Sequence, residues 1–434
     1  MVGPAQQGTA LGAVPALTDG GRRVTDTRSR GPELQPTRAE VRRAREAAAG
    51  RKGRGKMVVA IAGLGALALI VGVGYVGGKK LLGGVDVPED YEAGQSGPDV
   101  VVQVHPGDTA DQIATEMVEK DVVASASAFF NAAVQNDSMT SVQPGFYNLK
   151  SQVPAAQAVS GLVDPNSRVG ALVISEGRQL HDTRDVNTGA TKRGIYTLIS
   201  EASCLPTPSG QQKCVSVDEL KEAGANPNLA ALGVPDWAAS RVKSVPDRTR
   251  QLEGLIAAGK WDFDPRESAA EILTTLVSGS AAKYEATGID RAGNAVGLSP
   301  YDLLVAASLV ERESLPDDFG KVARVIVNRL AAPQRLELDS TVNYALDTTE
   351  LATTDGDRAK VTPWNTYAMD GLPATPISSP SIGAVEAVEK APAGDWLYFV
   401  TIDNKGTTLF TKSYTEHLEN SKKALASGIL DSGR

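Results

Sequence analysis

Residues 299–314 read SPYDLLVAASLVERES, and this stretch decides how the rest of the chain is interpreted. Ser299 is a suitable helix N-cap, Pro300 suits the first helical position, and Asp302 falls in the first turn. The stretch therefore predicts a helix that begins next to Ser299. Four apolar residues at helical spacing form a stripe along it: Leu303, Leu304, Ala307 and Val310.

The predicted helix ends on two carboxylates, Glu311 and Glu313, which flank Arg312. At 100° per residue the two glutamates lie about 200° apart around the helix, so they point to different sides. One of them could be structural while the other faces a cleft. Taken alone, the run could equally be a set of solvated helix charges, because such runs are common on helix surfaces.

Further blocks follow this helix in a fixed order. Residues 321–330, KVARVIVNRL, are amphipathic and predict a second helix. RLELDSTVNY at 335–344 and TPWNTY at 362–367 come next, and then Gly-Leu-Pro at 371–373. LYFV and TTLF, separated by Asn404-Lys405-Gly406, predict a β-hairpin. EHLEN closes the run.

Eight ordered blocks, from ASLVERE to EH, resemble the endolytic murein transglycosylase family (MltG/YceG-like). The resemblance is dense over about residues 300–420 and looser over 98–300. Three departures concern the shape of the cleft. Ser340 stands where the family usually has Pro, Trp364 stands where Tyr is usual, and Ala374-Thr375 follows Gly-Leu-Pro in place of Pro-Gly.

The resemblance implies an endolytic peptidoglycan lytic transglycosylase. It implies cleavage of the MurNAc–GlcNAc bond of nascent glycan strands, with 1,6-anhydro-MurNAc ends and limited strand elongation. Glu313 matches the catalytic acid/base of the family, and Glu311 becomes a supporting or structural carboxylate. No cofactor is implied. Five residues are expected to orient the sugar or the acid, or else to cap turns: Asp339, Thr341, Asn365, Thr366 and Tyr367.

Two other functions remain open on the sequence. A non-catalytic peptidoglycan-binding scaffold of the wall-synthesis machinery would keep the fold, although the intact ASLVERE block favours the enzyme. A hydrolytic muramidase would need a second carboxylate to activate water, and Asp339 is the candidate. The family resemblance also implies peptidoglycan synthases as partners.

The sequence predicts an α+β protein in which a small module precedes the catalytic domain. Residues 98–167 show the order strand, helix, helix, strand, which loosely resembles a LysM module used on glycan, and a spacer is the alternative. A transglycosylase-like mixed α+β domain is expected over 168–425, with a tail at 426–434.

Residues 57–78 form an uncharged apolar run of 22 residues, long enough for a transmembrane helix. The basic residues cluster before it, so the positive-inside rule predicts a single-pass protein of the cell membrane, with a cytoplasmic N-terminus and an extracytoplasmic catalytic domain. Residues 1–56 are expected to be a disordered basic tail, and residues 79–97 a linker.

Charge and cysteine usage fit an outer location. Residues 81–434 carry 30 Lys and Arg against 47 Asp and Glu, a net charge of −17, which argues against nucleic acid as a partner. Cys204 and Cys214 flank a Pro- and Gly-containing loop and are expected to form a structural disulfide. The three histidines are isolated in sequence, so no metal site is expected.

Overall fold

A computed structural model describes residues 88–186, 188–349 and 353–428. Among these residues no helix is long and apolar enough to cross a membrane. The span predicted at 57–78 and the tail predicted at 1–56 lie outside the described residues. The mixed helix and strand content gives the α+β class that the sequence predicted.

The N-terminal part of the described chain is a small α/β module with its own core. Its elements in order are β1 (Asp99–Val104), α1 (Ala110–Glu119), α2 (Ala126–Val134), β2 (Gly145–Lys150), α3 (Ala155–Val163) and β3 (Arg168–Val169). β1 and β2 are antiparallel, and Val102 lies opposite Tyr147. Apolar residues of all three helices, such as Met117 and Phe129, pack on this sheet.

Residues 88–97, which fall in the predicted linker, are attached to this module. Pro154 precedes α3 and offers no side chain that could cap the helix. The carboxylate of Asp90 accepts the Ala155 N–H instead, at 2.9 Å. β3 pairs with β2, so the sheet extends past the predicted boundary at residue 167. The strand–helix–helix–strand order is present, while the LysM-like function stays a prediction.

The larger domain begins with short strands and helices that surround a buried core. Its first elements are β4 (Ala171–Ile174), β5 (Thr183–Asp185), β6 (Thr191–Lys192), α4 (Ile195–Ala202), β7 (Leu205–Pro206), β8 (Gln212–Lys213), α5 (Val217–Gly224), α6 (Asp236–Lys243), β9 (Gly259–Asp262), α7 (Ala269–Glu285) and α8 (Ile289–Val296). β4 pairs antiparallel with β9.

The second half of the domain supplies the central helix and its neighbours. Its elements are α9 (Pro300–Glu313), α10 (Phe319–Ala331), α11 (Asp339–Ala345), β10 (Thr348–Thr349), α12 (Asp355–Arg358), α13 (Ile382–Glu389), β11 (Tyr398–Thr401), β12 (Thr408–Thr411) and α14 (Tyr414–Ser427). β11 and β12 form the predicted hairpin, and β10 runs parallel to β5.

Helix α9 is the centre of this domain. The Ser299 side chain accepts the Asp302 N–H and Pro300 occupies the first turn, as predicted. Every residue from Tyr301 to Val310 except Asp302 is buried, which is more than the single stripe that the sequence predicted. The helix is enclosed because α6, α8, α10, α11 and α13 all pack against it.

The segment formed by residues 376–381 joins α9 to the loop that contains Gly254. The Ile377 N–H donates to Ser308 Oγ at 3.0 Å, and Ser379 Oγ donates to the Ile256 carbonyl at 2.6 Å. Gly254 has φ +74°, and a Cβ there would lie 2.4 Å from Cβ of Pro376. Glycine is therefore required at this close approach.

Candidate active site

Glu313 is the last residue of α9 and lies partly exposed at the edge of the domain core. Ser340, in the first turn of α11, approaches it from another part of the chain. The Ser340 hydroxyl donates to Glu313 Oε1, and the Ser340 N–H donates to the same oxygen at 3.3 Å. Two donors from one residue therefore fix one oxygen of the carboxyl.

The surroundings of Glu313 favour its protonated form. Burial raises the pKa of Glu313, and the nearby Asp339 carboxylate raises it further, against lowering by the Ser340 hydrogen bonds and by Arg312. Glu313 also stands at the carboxyl end of α9, where the helix dipole disfavours negative charge. A carboxyl with these surroundings can keep its proton, and so act as a proton donor, at a pH where an ordinary glutamate is ionised.

Glu311 faces another side of α9, as the helical spacing predicted. Its Oε2 accepts the backbone N–H of Ser381 at 3.0 Å, next to the start of α13. This contact joins α9 to the 376–381 segment. The carboxylate of Glu311 therefore has a structural partner, whereas Glu313 lies beside the polar groups of α11.

Asp339 and Tyr367 are the polar groups that accompany Glu313 and remain partly exposed. The Asp339 carboxylate accepts the Tyr367 hydroxyl at 2.9 Å and the Thr353 hydroxyl at 2.7 Å. Arg358 forms an ion pair with it at 3.1 Å. Burial raises the pKa of Tyr367, and the negative charges of Asp339 and Glu313 raise it further. Tyr367 is therefore close enough to Glu313 to interact with its charge.

Thr341, Asn365 and Thr366 are buried, and their side-chain hydrogen bonds remain within the protein. The hydroxyls of Thr341 and Thr366 are 2.9 Å apart, and Thr366 Oγ1 accepts the Leu338 N–H. The Asn365 amide donates to three carbonyls of residues 357–360. These three side chains hold α11 and the 362–367 loop in place beside Glu313.

A second buried carboxyl lies behind the site. Glu253 accepts the Leu180 N–H at 3.2 and 3.3 Å and the Tyr344 hydroxyl at 3.2 Å. Burial raises the pKa of Glu253 to about 7. Tyr344 lies one helical turn after Ser340 on α11, so Glu253 supports the helix that holds Glu313.

Two further sequence predictions concern ligands and cysteines. In the part of the chain that the structure describes, no group of three or more His, Cys, Asp or Glu residues is arranged to hold a metal ion. Cys204 and Cys214 form a disulfide at the base of the β7–β8 hairpin.

A model of the YceG-like family matches residues 102–423, about three quarters of the chain. The chain belongs to the YceG-like family. This confirms the resemblance predicted from the ordered blocks. The match extends from β1 to α14 and contains the small module, Glu253, Glu313 and Ser340.

The YceG-like chain is similar to proteins named endolytic murein transglycosylase. The Bacillus subtilis (strain 168) protein is 26% identical over 362 residues, which cover 83% of this chain and 92% of that protein. The Streptococcus pneumoniae serotype 2 (strain D39) protein is 24% identical over 369 residues, and the match spans 82% of this chain but 63% of that protein. A solved YceG-like protein of Listeria monocytogenes is 26% identical, with a TM-score of 0.44 over 74% of this chain and 98% of that one.

The sequence singled out Glu313 in this YceG-like chain, but it did not show what contacts it. In the sequence Ser340 is a departure from the usual Pro, and its contact with Glu313 spans 27 residues. Glu253 lies in the motif Leu252-Glu253-Gly254, and its burial was not predicted. A carboxylate within an otherwise apolar run, LEGLIAA, was the available signal for that burial.

Proposed function

We propose that this chain is an endolytic peptidoglycan lytic transglycosylase with Glu313 as its single acid/base. It cleaves the MurNAc–GlcNAc bond of nascent glycan strands and leaves 1,6-anhydro-MurNAc ends, which limits strand elongation. The observation that carries the proposal is the placement of Glu313 at the partly buried end of α9, where burial raises its pKa and Ser340 holds one of its oxygens. Family membership and the names of the two relatives support it.

The reaction needs one proton carrier used twice. Glu313 donates its proton to the glycosidic oxygen as the bond from that oxygen to the anomeric carbon breaks. The C6 hydroxyl of the same muramoyl residue then attacks the anomeric carbon, and its proton passes to Glu313. The 1,6-anhydro ring closes, Glu313 regains its proton, and no water is consumed.

The neighbouring carboxylates support a one-carboxylate mechanism over hydrolysis. Hydrolytic glycosidases use a second carboxylate as a base or nucleophile. Asp339, the candidate for that role, is held by Arg358, Thr353 and Tyr367. Glu311 is held by the Ser381 N–H. With these partners, the carboxylates of Asp339 and Glu311 are better suited to orienting neighbouring groups than to activating a water molecule.

We assign direct contact with the sugar to Asp339 and Tyr367, whose polar atoms are partly exposed beside Glu313. Thr341, Asn365 and Thr366 act indirectly in this proposal, by holding α11 and the 362–367 loop. A glycan hydroxyl that hydrogen-bonds to Asp339 would compete with Tyr367 for the same carboxylate, so the two side chains act as a pair.

The proposal includes the location inferred from the sequence. Residues 57–78 anchor the protein in the cell membrane and the catalytic domain lies outside, next to newly made strands. The small LysM-like module would add glycan affinity, and peptidoglycan synthases would supply the strands. These assignments rest on the apolar run, the charge asymmetry and the family resemblance.

The test is digestion of purified peptidoglycan by the full-length chain in detergent, as wild type and as Glu313→Gln, with products identified by mass. Anhydro-ended fragments from the wild type alone support the proposal. Fragments heavier by one water would show a hydrolase instead. Binding to peptidoglycan without cleavage by folded wild type would favour the scaffold function.

A further inference from the structure

Three cationic side chains meet in one small pocket beside the end of α9. Arg178 follows β4, Lys192 ends β6, and Arg312 immediately precedes Glu313 on α9. All three line the same pocket, together with Gln179, His181, Thr183 and Arg193. The lining contains no carboxylate, although residues 81–434 carry a net charge of −17. We call Arg178, Lys192 and Arg312 the cationic triad.

Among the described residues, no carboxylate lies within salt-bridge distance of the triad. Within residues 88–186, 188–349 and 353–428, neither Lys192 nor Arg312 forms an ion pair or a side-chain hydrogen bond. The Nε atoms of Arg178 and Arg312 are buried without a hydrogen-bond partner. Burial lowers the pKa of Lys192, and the charges of Arg312 and Arg178 lower it further, so the three groups repel one another.

The two other basic residues that line the pocket, Arg193 and His181, have partners of their own. Arg193 forms an ion pair with Glu201 at 2.6 Å. His181 Nε2 lies 3.0 Å from the Thr249 carbonyl. The triad is held in place nevertheless, since Arg178 donates to the Arg193 carbonyl at 2.7 Å and to Ser175 Oγ at 2.9 Å. Gly177 faces Arg312, since a Cβ at position 177 would lie 3.6 Å from Cδ of Arg312.

Three converging cations without a salt bridge cost folding free energy, and a bound anion would offset that cost. We propose that the cationic triad binds a carboxylate of the peptide stem carried by the muramoyl residue at the cleaved bond. This inference rests on the proposed function. Guanidinium and ammonium groups suit the recognition of carboxylates, and the partly buried setting strengthens such contacts.

The position of the triad selects the stem over more distant anions of the wall. Arg312 and Glu313 are consecutive, so the triad is anchored one residue from the acid. The stem is attached to the same sugar whose anomeric carbon reacts. The pocket itself, with a volume of about 10 Å³, admits only a water-sized group, so the carboxylate would bind at its mouth. A carboxylate there would align the muramoyl residue with Glu313, whereas a lipid pyrophosphate lies only at the end of a strand.

The test compares glycan strands that bear peptide stems with the same strands after an N-acetylmuramoyl-L-alanine amidase has removed the stems and the lactyl carboxylates that the amidase exposes have been converted to amides. For the full-length wild type, we expect KM for stem-free strands to exceed KM for stem-bearing strands about tenfold, as expected for loss of a charge-assisted contact. Lys192→Gln should bring the ratio of the two KM values close to one. Lys192→Arg keeps a cation at this position and should leave the ratio near the wild-type value. Lys390→Gln, which removes an exposed lysine immediately after α13, is the control for net charge.

Binding by Glu313→Gln protein separates this inference from the proposed function, because it needs no cleavage. Glu313→Gln should bind stem-bearing strands more tightly than stem-free strands, and Lys192→Gln in that background should abolish the preference. The inference is overturned if Lys192→Gln leaves both the KM ratio and the binding preference unchanged. If the wild type cleaves neither strand while the binding preference depends on Lys192, the triad assignment stands and the proposed reaction fails.

Discussion

Ser340 donates both its hydroxyl and its backbone N–H to Oε1 of Glu313. Because Oε1 accepts two hydrogen bonds, the proton of the neutral acid resides on Oε2. The contact therefore decides which oxygen offers its proton to a glycosidic bond. The resemblance to the family gives Pro as the usual residue at this position, and Pro carries neither donor.

Replacing Ser340 should shift the pH dependence of cleavage. The hydrogen bonds from Ser340 lower the pKa of Glu313 against the raising effects of burial and of Asp339. Ser340→Ala removes one donor and Ser340→Pro removes both, so the alkaline limb of kcat/KM should move to higher pH, further for Pro. Arg312, Arg329 and Tyr367 also surround Glu313 and remain unchanged in these variants.

The Ser340 prediction has an internal control. Ser340→Thr keeps both donors and should keep the wild-type profile. Pro is tolerated in the first turn of α11, where the Ser340 N–H serves only Glu313, so the fold should survive. Alkaline limbs that coincide in wild type and Ser340→Pro would contradict the assigned role.

Glu313→Gln should greatly slow cleavage, whereas Glu311→Gln should mainly weaken the fold. Loss of a positioned general acid reduces the rate by about 10²- to 10⁴-fold. Glu311 contacts the Ser381 N–H, and a neutral amide accepts this hydrogen bond less strongly. We expect Glu311→Gln to lower the melting temperature while kcat stays within a few fold. The measurements are product release by mass and thermal unfolding; equal losses of kcat in both variants would argue against Glu313 as the sole acid.

The buried Glu253 should make stability depend on pH. Its pKa is about 7 in the folded protein against an ordinary value of 4.5. The folded state therefore binds the proton more tightly, and this stabilisation is fully present below about pH 4.5 and lost as pH rises through 7. At about 1.4 kcal/mol per pKa unit, the loss is on the order of 3 kcal/mol.

Glu253→Gln mimics the protonated form and should remove this dependence. As pH rises from 5 to 8, the free energy of unfolding of the variant should increase relative to that of the wild type. Urea denaturation at constant salt measures both values. Glu386→Gln, an exposed change on α13, controls for the loss of one carboxylate. Parallel curves for wild type and Glu253→Gln would refute the prediction.

Removing the disulfide should have a local effect. Cys204 and Cys214 are ten residues apart, and closing so short a loop contributes at most about 3 kcal/mol. The enclosed residues 206–213 are mostly exposed. Cys204→Ser with Cys214→Ser should therefore increase protease cleavage between residues 205 and 213, while cleavage of peptidoglycan is kept. Global unfolding of the double variant at room temperature would show that the hairpin matters to the whole domain.

Local signals in the sequence predicted much of the fold. Ser299 and Pro300 predicted the start of α9, the pattern KVARVIVNRL predicted α10, and Asn404-Lys405-Gly406 predicted the β11–β12 hairpin. These features depend on residues within one or two turns of each other. The complete burial of residues 303–310 was not predicted, because it depends on helices supplied from both sides of the sequence.

The candidate site also has features that the sequence predicted and features that it did not. Helical spacing placed Glu311 and Glu313 on different sides, and each has its own partner. The contacts of Ser340 with Glu313 and of Tyr344 with Glu253 join segments 27 and 91 residues apart. A periodic sequence pattern does not predict contacts between such distant residues. The support that α11 gives to Glu313 is therefore visible only in the structure.

The 376–381 segment has a consequence for how the protein is made. Its hydrogen bonds to Glu311 and Ile256 connect residues 70 and 123 positions apart. A chain that emerges N-terminus first presents the apolar helix α9 long before the segment that covers it has been synthesised. We expect the domain to fold late and to need a chaperone in the interval, so that activity is absent from unfinished chains.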